Sequence, residues 1–431
     1  MQNQDYFSAH YNNSHPGIMV SISMNDELIA CQHCDQLYRL APLAPGGKAN
    51  CHRCGSMLYR SVPDSLDRSI AWYLTALMLF VIANAWPFLS LELGGRVEEN
   101  LLVSGGVAMF EMGMADLGIM IFLTSILFPL LTIVGMLYLL IPVRLGFRPA
   151  GLGPVYRVIE AINAWSLVSV FMLGVLIAIV KLQDMANVIP GISLFALVGL
   201  LISFAAARAN FDPAVLWAAS GIKGTPTTSR RYLNCHTCGM LTNEVDGHEN
   251  CPRCTAPVHH RKHNSITRTW ALVATAAILL IPANLYPVMT VIRFGQGEPS
   301  TILAGVIHLM QGGMWGLAMI VLIASIVIPF TKLIILAYLL ISVQKKSAWR
   351  PRDRTLLYRL TEVVGAWSMV DIFLVGILSA LVSLDALSTI RPGIGASFFG
   401  AAVVVTMFAT HSFDPRLIWD NLQPATEPVN H

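Results

Sequence analysis

Charged side chains are scarce in this sequence. Asp, Glu, Lys and Arg make up 12% of the 431 residues, against about 25% in soluble proteins, and 55% of the residues are hydrophobic. The mean hydropathy is +0.61. These values exclude a large soluble core and indicate a polytopic membrane protein. The formal net charge of +3 says little by itself, and no nucleic-acid partner is expected.

Several motifs and signals are absent as well. The sequence contains no Walker motif, no G-x-G-x-x-G leading into a helix and no His-Glu-x-x-His. These absences exclude an ATPase or a metalloprotease, and we predict no enzymatic activity. The N-terminal residues contain no signal-peptide h-region, so the N-terminus is expected to stay in the cytoplasm.

The eight cysteines occur only as Cys-x-x-Cys pairs. Paired knuckles of this kind are typical of a zinc ribbon, in which two tight turns place four thiolates around one ion. We therefore predict two structural zinc ions, with iron or a redox dithiol as the alternatives. His33 and His52 are expected on the ribbon surface rather than as ligands. The predicted ligands are Cys31, Cys34, Cys51 and Cys54 in the first ribbon and Cys235, Cys238, Cys251 and Cys254 in the second.

Four apolar runs follow the first cysteine cluster, and each is long enough to cross a bilayer as a helix. They cover residues 70–91, 117–143, 158–180 and 189–207. Asn84-Ala-Trp-Pro87 is expected to break or kink the first helix near one interface.

The same plan then repeats along the chain. Asn284-Leu-Tyr-Pro287 matches Asn84-Ala-Trp-Pro87, and Ala366-Trp-Ser-Met-Val-Asp-Ile-Phe373 matches Ala164-Trp-Ser-Leu-Val-Ser-Val-Phe171. The predicted fold class is therefore an all-α integral membrane protein, a tandem duplication of four-helix transmembrane units with eight spans, each unit preceded by a small zinc ribbon. The predicted divisions are a disordered N-terminus (1–30), ribbon 1 (31–60), membrane unit 1 (66–217), a linker (218–233), ribbon 2 (234–260), membrane unit 2 (264–420) and a C-terminal tail (421–431).

Lys and Arg residues are distributed unevenly between the two predicted faces. They concentrate in the ribbons, in the loops between the second and third span of each unit and near the C-terminus, whereas the opposite loops hold Arg96, Arg293 and Arg391. The positive-inside rule then places the ribbons and both termini in the cytoplasm. A reducing cytoplasm also favours metal-bound thiolates over disulfides.

Two charges lie near the middle of predicted spans in the second unit. Lys332 is in the sixth span and Asp371 in the seventh, and each charge costs roughly 2.5–3.5 kcal/mol at the bilayer centre. The first unit has Thr132 and Ser169 at these positions, so a four-helix unit forms without the charges. We interpret the two as a titratable pair in a proton relay or gate. The alternatives are a structural salt bridge and a charge that reaches an interface.

Uncharged polar residues accompany the pair. Ser325 precedes Lys332 by seven residues, Ser368 precedes Asp371 by three, and Thr406 lies in the last span. Both spacings place the partners near one helix face, so these residues are candidates for the same cavity. Serine and threonine are also common as neutral contacts between membrane helices.

Several segments resemble members of the paraquat-inducible protein A family, which includes the A components of lipophilic-envelope-spanning tunnel systems. The resemblance extends from Cys31 to Trp419. Its most specific segments are Pro282-Ala-Asn-Leu-Tyr-Pro287, Ser300-Thr-Ile-Leu-Ala-Gly305, Ala324-Ser-Ile-Val-Ile-Pro-Phe-Thr-Lys332, Trp367-Ser-Met-Val-Asp371 and Phe413-Asp-Pro-Arg416.

The resemblance implies a protein of the bacterial inner membrane that works with a periplasmic tunnel protein built from MCE domains. It implies movement of phospholipid between the membrane and that tunnel, driven by the proton gradient. It also implies a polar network made of Ser325, Lys332, Ser368, Asp371 and Thr406. Two other hypotheses remain open: a passive membrane anchor for the tunnel, and a cytoplasmic thiol or zinc sensor.

Overall fold

The computed structural model describes most of the chain. Parts of the predicted N-terminus, linker and C-terminal tail lie outside the described residues. The described residues are 28–93, 96–183, 187–222, 232–243, 250–293, 296–381, 383–384 and 388–422.

The first ribbon (residues 28–60) consists of two antiparallel hairpins. Strand β1 (Leu28–Ala30) pairs with β2 (Leu37–Arg39), and β3 (Lys48–Asn50) pairs with β4 (Met57–Arg60). Each hairpin turns through one Cys-x-x-Cys pair, so the four cysteines belong to two equivalent loops.

The first membrane unit (residues 65–218) contains the long helices that follow this ribbon. Its strands are β5 (Leu89–Leu93), β6 (Arg96–Asn100) and β7 (Asn187–Pro190), in the antiparallel order β6-β5-β7. Its helices are α1 (Ser65–Ala85), α2 (Ser104–Glu111), α3 (Ala115–Phe122), α4 (Phe128–Arg144), α5 (Leu152–Asn163), α6 (Val168–Gln183), α7 (Ile192–Asn210) and α8 (Pro213–Ala218).

The second half repeats this plan. Ribbon 2 (residues 232–258) has β8 (Tyr232–Asn234) paired with β9 (Leu241–Asn243), and a bridge joins Asn250 to Pro257. The second membrane unit (residues 265–418) has a sheet of order β11-β10-β13-β12. Its strands are β10 (Met289–Arg293), β11 (Gln296–Ser300), β12 (Ser383–Leu384) and β13 (Ser388–Pro392), and its helices are α9 (Ser265–Leu285), α10 (Ile302–Gln311), α11 (Trp315–Leu322), α12 (Ile328–Gln344), α13 (Pro351–Val364), α14 (Val370–Leu381) and α15 (Ile394–Ser412).

Eight helical segments in the described part of the chain are long and apolar enough to cross a membrane, which confirms the predicted fold class. They are Ser65–Ala85, Ala115–Arg144, Leu152–Val180, Ile192–Asn210, Ser265–Leu285, Trp315–Gln344, Pro351–Ser379 and Ile394–Ser412. The small sheets at the end opposite the ribbons were not part of the all-α prediction.

The predicted break at Pro87 ends a helix rather than kinking one. Helix α1 stops at Ala85, because Trp86 precedes the proline and adopts extended angles (φ −114°, ψ 157°). The chain then enters β5, which places the sheet at this end of the bundle.

The second span of each unit and the third span of the second unit depart from regular α-helix. The second spans contain π-helical turns, Leu123–Leu127 and Ile323–Val327, just before Pro129 and Pro329. A proline cannot donate to the carbonyl four residues earlier, and one inserted residue is a common adjustment to such a break. The third span of the second unit contains a 3-10 segment, Gly365–Met369, between α13 and α14.

Each ribbon packs against the membrane unit of the other half. In ribbon 1, the Arg53 guanidinium lies 4.7 Å from the ring centre of Trp419, which follows the last helix of the second unit. In ribbon 2, Arg253 donates to the Ile222 carbonyl at 2.8 Å, and Arg157 of α5 donates to Thr255 at 3.0 Å. The ribbons therefore connect the two halves on one side of the molecule.

The two ribbons also touch each other. Asn234 donates to the Ala30 carbonyl at 3.3 Å, and the Tyr232 hydroxyl donates to the Asp35 carbonyl at 2.7 Å. The Asp35 carboxylate forms an ion pair with Arg261, which also contacts Asp420 at 2.6 Å. This network joins ribbon 1 to the segments that come directly before and directly after the second unit in the sequence.

Candidate functional site

The two cysteine clusters each bring four sulfurs together. In ribbon 1, Cys31 and Cys54 are 3.5 Å apart at their sulfurs, as are Cys34 and Cys51. The sulfurs of each cluster all lie within 4.8 Å of one another, and the second cluster is built from Cys235, Cys238, Cys251 and Cys254. Both groups can therefore hold a metal ion.

The backbone of the four knuckles explains this geometry. In each turn the residue after the second cysteine adopts a positive φ: Asp35 (57°), Gly55 (76°), Gly239 (69°) and Thr255 (57°). Its amide donates to the carbonyl of the first cysteine, at 2.9 Å for Asp35 and 2.7 Å for Gly55. This hydrogen bond closes the turn that carries the two sulfurs of each pair.

A tetrahedral zinc site fits these clusters. Zn–S bonds of about 2.3 Å separate the sulfurs by about 3.8 Å, close to the shortest separations here. The Tyr38 hydroxyl lies 3.2 Å from the sulfur of Cys51 and accepts the His52 amide at 3.0 Å. Ser56 lies 3.2 Å from the sulfur of Cys54. Metal-bound thiolates can only accept hydrogen bonds, so in the metal-bound form both hydroxyls can donate to these sulfurs and stabilise them.

The histidines next to the cysteines do not share one environment. His52 is exposed, as predicted. The ring of His33 instead lies edge-on to Tyr358 of α13, with centroids 6.4 Å apart, so it faces the second unit. This difference follows from the docking of ribbon 1 on the other half of the chain.

Lys332 lies inside the second membrane unit, on the second turn of α12. The residue is 3% exposed, and its ammonium donates to the Thr406 hydroxyl of α15 at 3.3 Å. The Thr406 hydroxyl donates a hydrogen bond to the Val403 carbonyl at 2.8 Å, so its oxygen can accept the hydrogen bond from the lysine. The sequence predicted both residues for one site, and the structure brings them into contact.

Gly365 forms the other wall around the ammonium. A Cβ built on this glycine would lie 2.6 Å from Nζ and 3.3 Å from Cε of Lys332. Gly365 opens the 3-10 segment, so the break in the third span provides the space that the lysine occupies. The prediction from sequence missed this residue. The repeat contained a signal, since the first unit has Asn163 at the position of Gly365 and Thr132 at the position of Lys332.

The two predicted serines are buried in elements that meet at this site. Ser325 donates to the Val321 carbonyl at 2.7 Å within the π-helical turn. Ser368 donates to the Gly365 carbonyl at 2.9 Å within the 3-10 segment, and these two segments are in contact. Neither serine has a recorded hydrogen bond to Lys332, so their role in a shared network stays a prediction.

Asp371 is the second residue of α14. Its side chain lies outside the described part of the structure. Pairing between Asp371 and Lys332 therefore stays a prediction.

The equivalent site of the first unit is uncharged, and its polar side chains have different hydrogen-bond partners. Thr132 is buried and donates to the Phe128 carbonyl at 2.8 Å. The Asn163 side-chain oxygen is buried without a hydrogen-bond partner among the described residues. The charged site is thus a property of the second unit alone.

A sequence model of the family described as "Paraquat-inducible protein A" matches residues 66–220 and 266–423. The chain belongs to the paraquat-inducible protein A family. The two matches cover both membrane units, which agrees with a tandem duplication, and they leave the two cysteine clusters outside. Membership together with the eight apolar helices makes this a multi-pass membrane protein.

Family relatives match the chain over almost its entire length. "Intermembrane transport protein PqiA" of Escherichia coli strain K12 is 33% identical over 411 residues, 93% of this chain and 97% of the relative. "Lipophilic envelope-spanning tunnel protein A" of the same strain is 33% identical over 396 residues, 90% of each chain. A "Probable intermembrane transport protein" of Haemophilus influenzae is 27% identical over 403 residues, 91% of this chain and 96% of the relative. No solved structure matches the chain.

Proposed function

We propose that this protein moves phospholipid between the bacterial inner membrane and a periplasmic tunnel protein built from MCE domains, with the proton gradient as the energy source. Support for transport between membranes comes from relatives of nearly equal length that are named as intermembrane transport proteins. The relative named after an envelope-spanning tunnel supports the choice of partner. No enzymatic step is required.

The observation that carries the proposal is the buried ammonium of Lys332. A lysine with a single hydroxyl partner among the described side chains is costly inside an apolar bundle. The first unit folds with Thr132 instead, so the lysine is not needed for the architecture. Retention of such a group favours a role in which its charge is used.

The proposed cycle uses Asp371 as the group that gains and loses a proton. When deprotonated it pairs with the Lys332 ammonium and holds α12 and α14 together. Its protonation removes the attraction and allows the two helices to separate while lipid moves. Thr406 holds the ammonium in both states, and Ser325 and Ser368 provide further hydroxyls to it when the helices shift.

The two ribbons have a structural part in this proposal. Each binds one zinc ion through its four cysteines and lies on the cytoplasmic side, together with both termini. Zinc supplies four strong bonds that keep each knuckle folded. The ribbons then hold the cytoplasmic ends of the two units at a fixed spacing.

The test replaces each charge and compares it with its counterpart in the first unit. Lys332→Met and Asp371→Asn are expected to abolish lipid transfer in proteoliposomes and to fail to restore the envelope barrier in cells, at normal membrane levels. Thr132→Val and Ser169→Ala are the matched controls and should retain both activities. Wild-type transfer by both charge variants would exclude the relay and support a passive anchor.

A further inference from the structure

Two related cavities lie at the end of the bundle opposite the ribbons, where the units meet. The first is lined by Phe88, Leu102, Gly105 and Ile121 of the first unit and by residues of α14. The second is larger and is lined by Val288, Ile302, Gly305 and Val321 of the second unit, by Ile177 of α6 and by residues of α14. These lining residues correspond pairwise in the repeat.

The difference in volume follows from the sequence. Val288 stands where the first unit has Phe88, and Val321 stands where it has Ile121. Both positions therefore carry a smaller side chain in the second unit. The two units therefore share one architecture, but smaller side chains enlarge the cavity of the second unit.

The packing of the equivalent helices α2 and α10 also makes the second cavity larger than the first. In the first unit α2 lies close against α14, since a Cβ on Gly105 would be 3.4 Å from the Gly376 carbonyl oxygen. In the second unit the corresponding Gly305 of α10 would meet only the Ser300 hydroxyl, at 3.8 Å. Helix α10 thus lacks the close helix contact that closes the first cavity.

We propose that the larger cavity binds one acyl chain of a glycerophospholipid, an inference that rests on the proposed transport function. Its walls are almost entirely aliphatic, which disfavours water and suits a hydrocarbon chain. The hydroxyl-bearing Ser300 and Thr301 line one end, where β11 leads into α10, and the ester and headgroup region of the lipid lies there. The outward face of α10 exposes Leu303 (54%) and Ile307 (46%), so the helix separates the cavity from membrane lipid.

The cavity is also connected to the charged site through one turn of helix. Val321 contributes its side chain to the cavity wall, and its carbonyl accepts the hydroxyl of Ser325. A change in the helix around Ser325 therefore moves the wall of the cavity. If Ser325 joins the network of Lys332 and Asp371 as proposed above, proton movement there shifts the wall that contacts the bound chain.

The test fills the cavity with the residue that the first unit already uses. Purified Val288→Phe protein is placed in phosphatidylethanolamine and phosphatidylglycerol vesicles that contain a phospholipid with a photoreactive acyl chain. Crosslinking to the peptide around Thr301–Leu309 is expected to fall about tenfold, the effect of losing space for two methylene groups. Val81→Phe adds the same ring on the exposed face of α1 and should leave crosslinking unchanged.

Further variants separate this inference from the transport proposal. Lys332→Met should stop transfer but retain the crosslink, because the cavity remains open. Val321→Ile adds a single methylene and should give a smaller loss than Val288→Phe, with an unchanged melting temperature. Equal labelling of wild type and Val288→Phe would overturn the acyl-chain assignment, as would competition by glycerophosphoglycerol, which carries the headgroup without chains.

Discussion

The ammonium of Lys332 occupies the space that Gly365 leaves by having no side chain. The ideal Cβ position of the glycine is 2.6 Å from Nζ, below the 3.0 Å that real Cβ contacts essentially always exceed. The first unit pairs the shorter Thr132 with the larger Asn163 at these two positions. Lysine and glycine thus form a matched pair, and the charge is accommodated by a change on a neighbouring helix.

This relationship predicts the effect of adding one methyl group. In Gly365→Ala the ammonium has to leave its position beside Thr406, and we expect a loss of lipid transfer of about tenfold or more, since overpacking costs about 1–3 kcal/mol. Gly316→Ala is the matched control, because Gly316 is also helical and has open space around it. Transfer rates of both variants at equal protein levels provide the measurement. Normal transfer by Gly365→Ala would show that the lysine position is not critical.

The hydroxyl of Thr406 provides a second prediction. Thr406→Val removes the acceptor of the Lys332 ammonium but keeps the side-chain shape, and a hydrogen bond to a charged group is worth about 1.5–3 kcal/mol. We therefore expect a transfer defect of about 10- to 100-fold in Thr406→Val. Thr406→Ser should restore most of the activity. Thr132→Val also removes a buried threonine hydroxyl, in the first unit at the position equivalent to Lys332, and should be nearly silent. An equal defect in that control would argue for a general packing effect.

Metal content tests the ribbons. Two four-cysteine clusters predict two zinc ions per chain, measured by mass spectrometry of the purified protein. Cys34→Ser is expected to remove one zinc and to loosen the contacts of Arg53 and Asp35 with the second unit, seen as faster proteolysis near Trp419. Cys238→Ser should instead affect the contacts of ribbon 2 with α5. A protein that contains disulfides and no zinc would support the thiol-sensor hypothesis.

The sequence was sufficient for the features that depend on composition and spacing. Apolar runs predicted the spans, and the Cys-x-x-Cys spacing predicted two clusters. It did not predict the 3-10 segment at Gly365, because hydropathy reports how apolar a run is and not its hydrogen-bond pattern. Nor did it predict that ribbon 1 reaches Trp419, since docking between distant parts of the chain has no local signal. Lys332 and Asp371 could be recognised from the sequence because they are charged residues within apolar predicted spans.

A buried ion pair after the last helix predicts a dependence of stability on pH. Asp414 accepts from Nε of Arg416 at 3.0 Å and from its terminal nitrogen at 2.9 Å, and both residues are buried. Burial alone would raise the pKa of Asp414, but the bond and charge of Arg416 and two backbone amides lower it to about 2. A lowered folded-state pKa gives stability that is present above the unfolded value of about 3.9 and is lost as the pH falls toward 2. We expect the melting temperature of the wild type to fall across this range.

Replacement of the carboxylate tests the same pair at neutral pH. Asp414→Asn leaves the buried Arg416 guanidinium with only the more distant Asp35 carboxylate, 3.7 Å away, as its counter-ion. Loss of the partner of a buried charge typically costs about 3–5 kcal/mol, so the melting temperature should drop by part of that cost and its dependence on acid should weaken. The first unit provides the control, since Asp212 holds the same position but Ala214 replaces the arginine. Asp212 accepts the Ala214 amide at 2.9 Å as a helix cap, a role that asparagine also fills, so Asp212→Asn should melt close to the wild type. If both variants lost the same stability, the cap and not the ion pair would be the source of the effect.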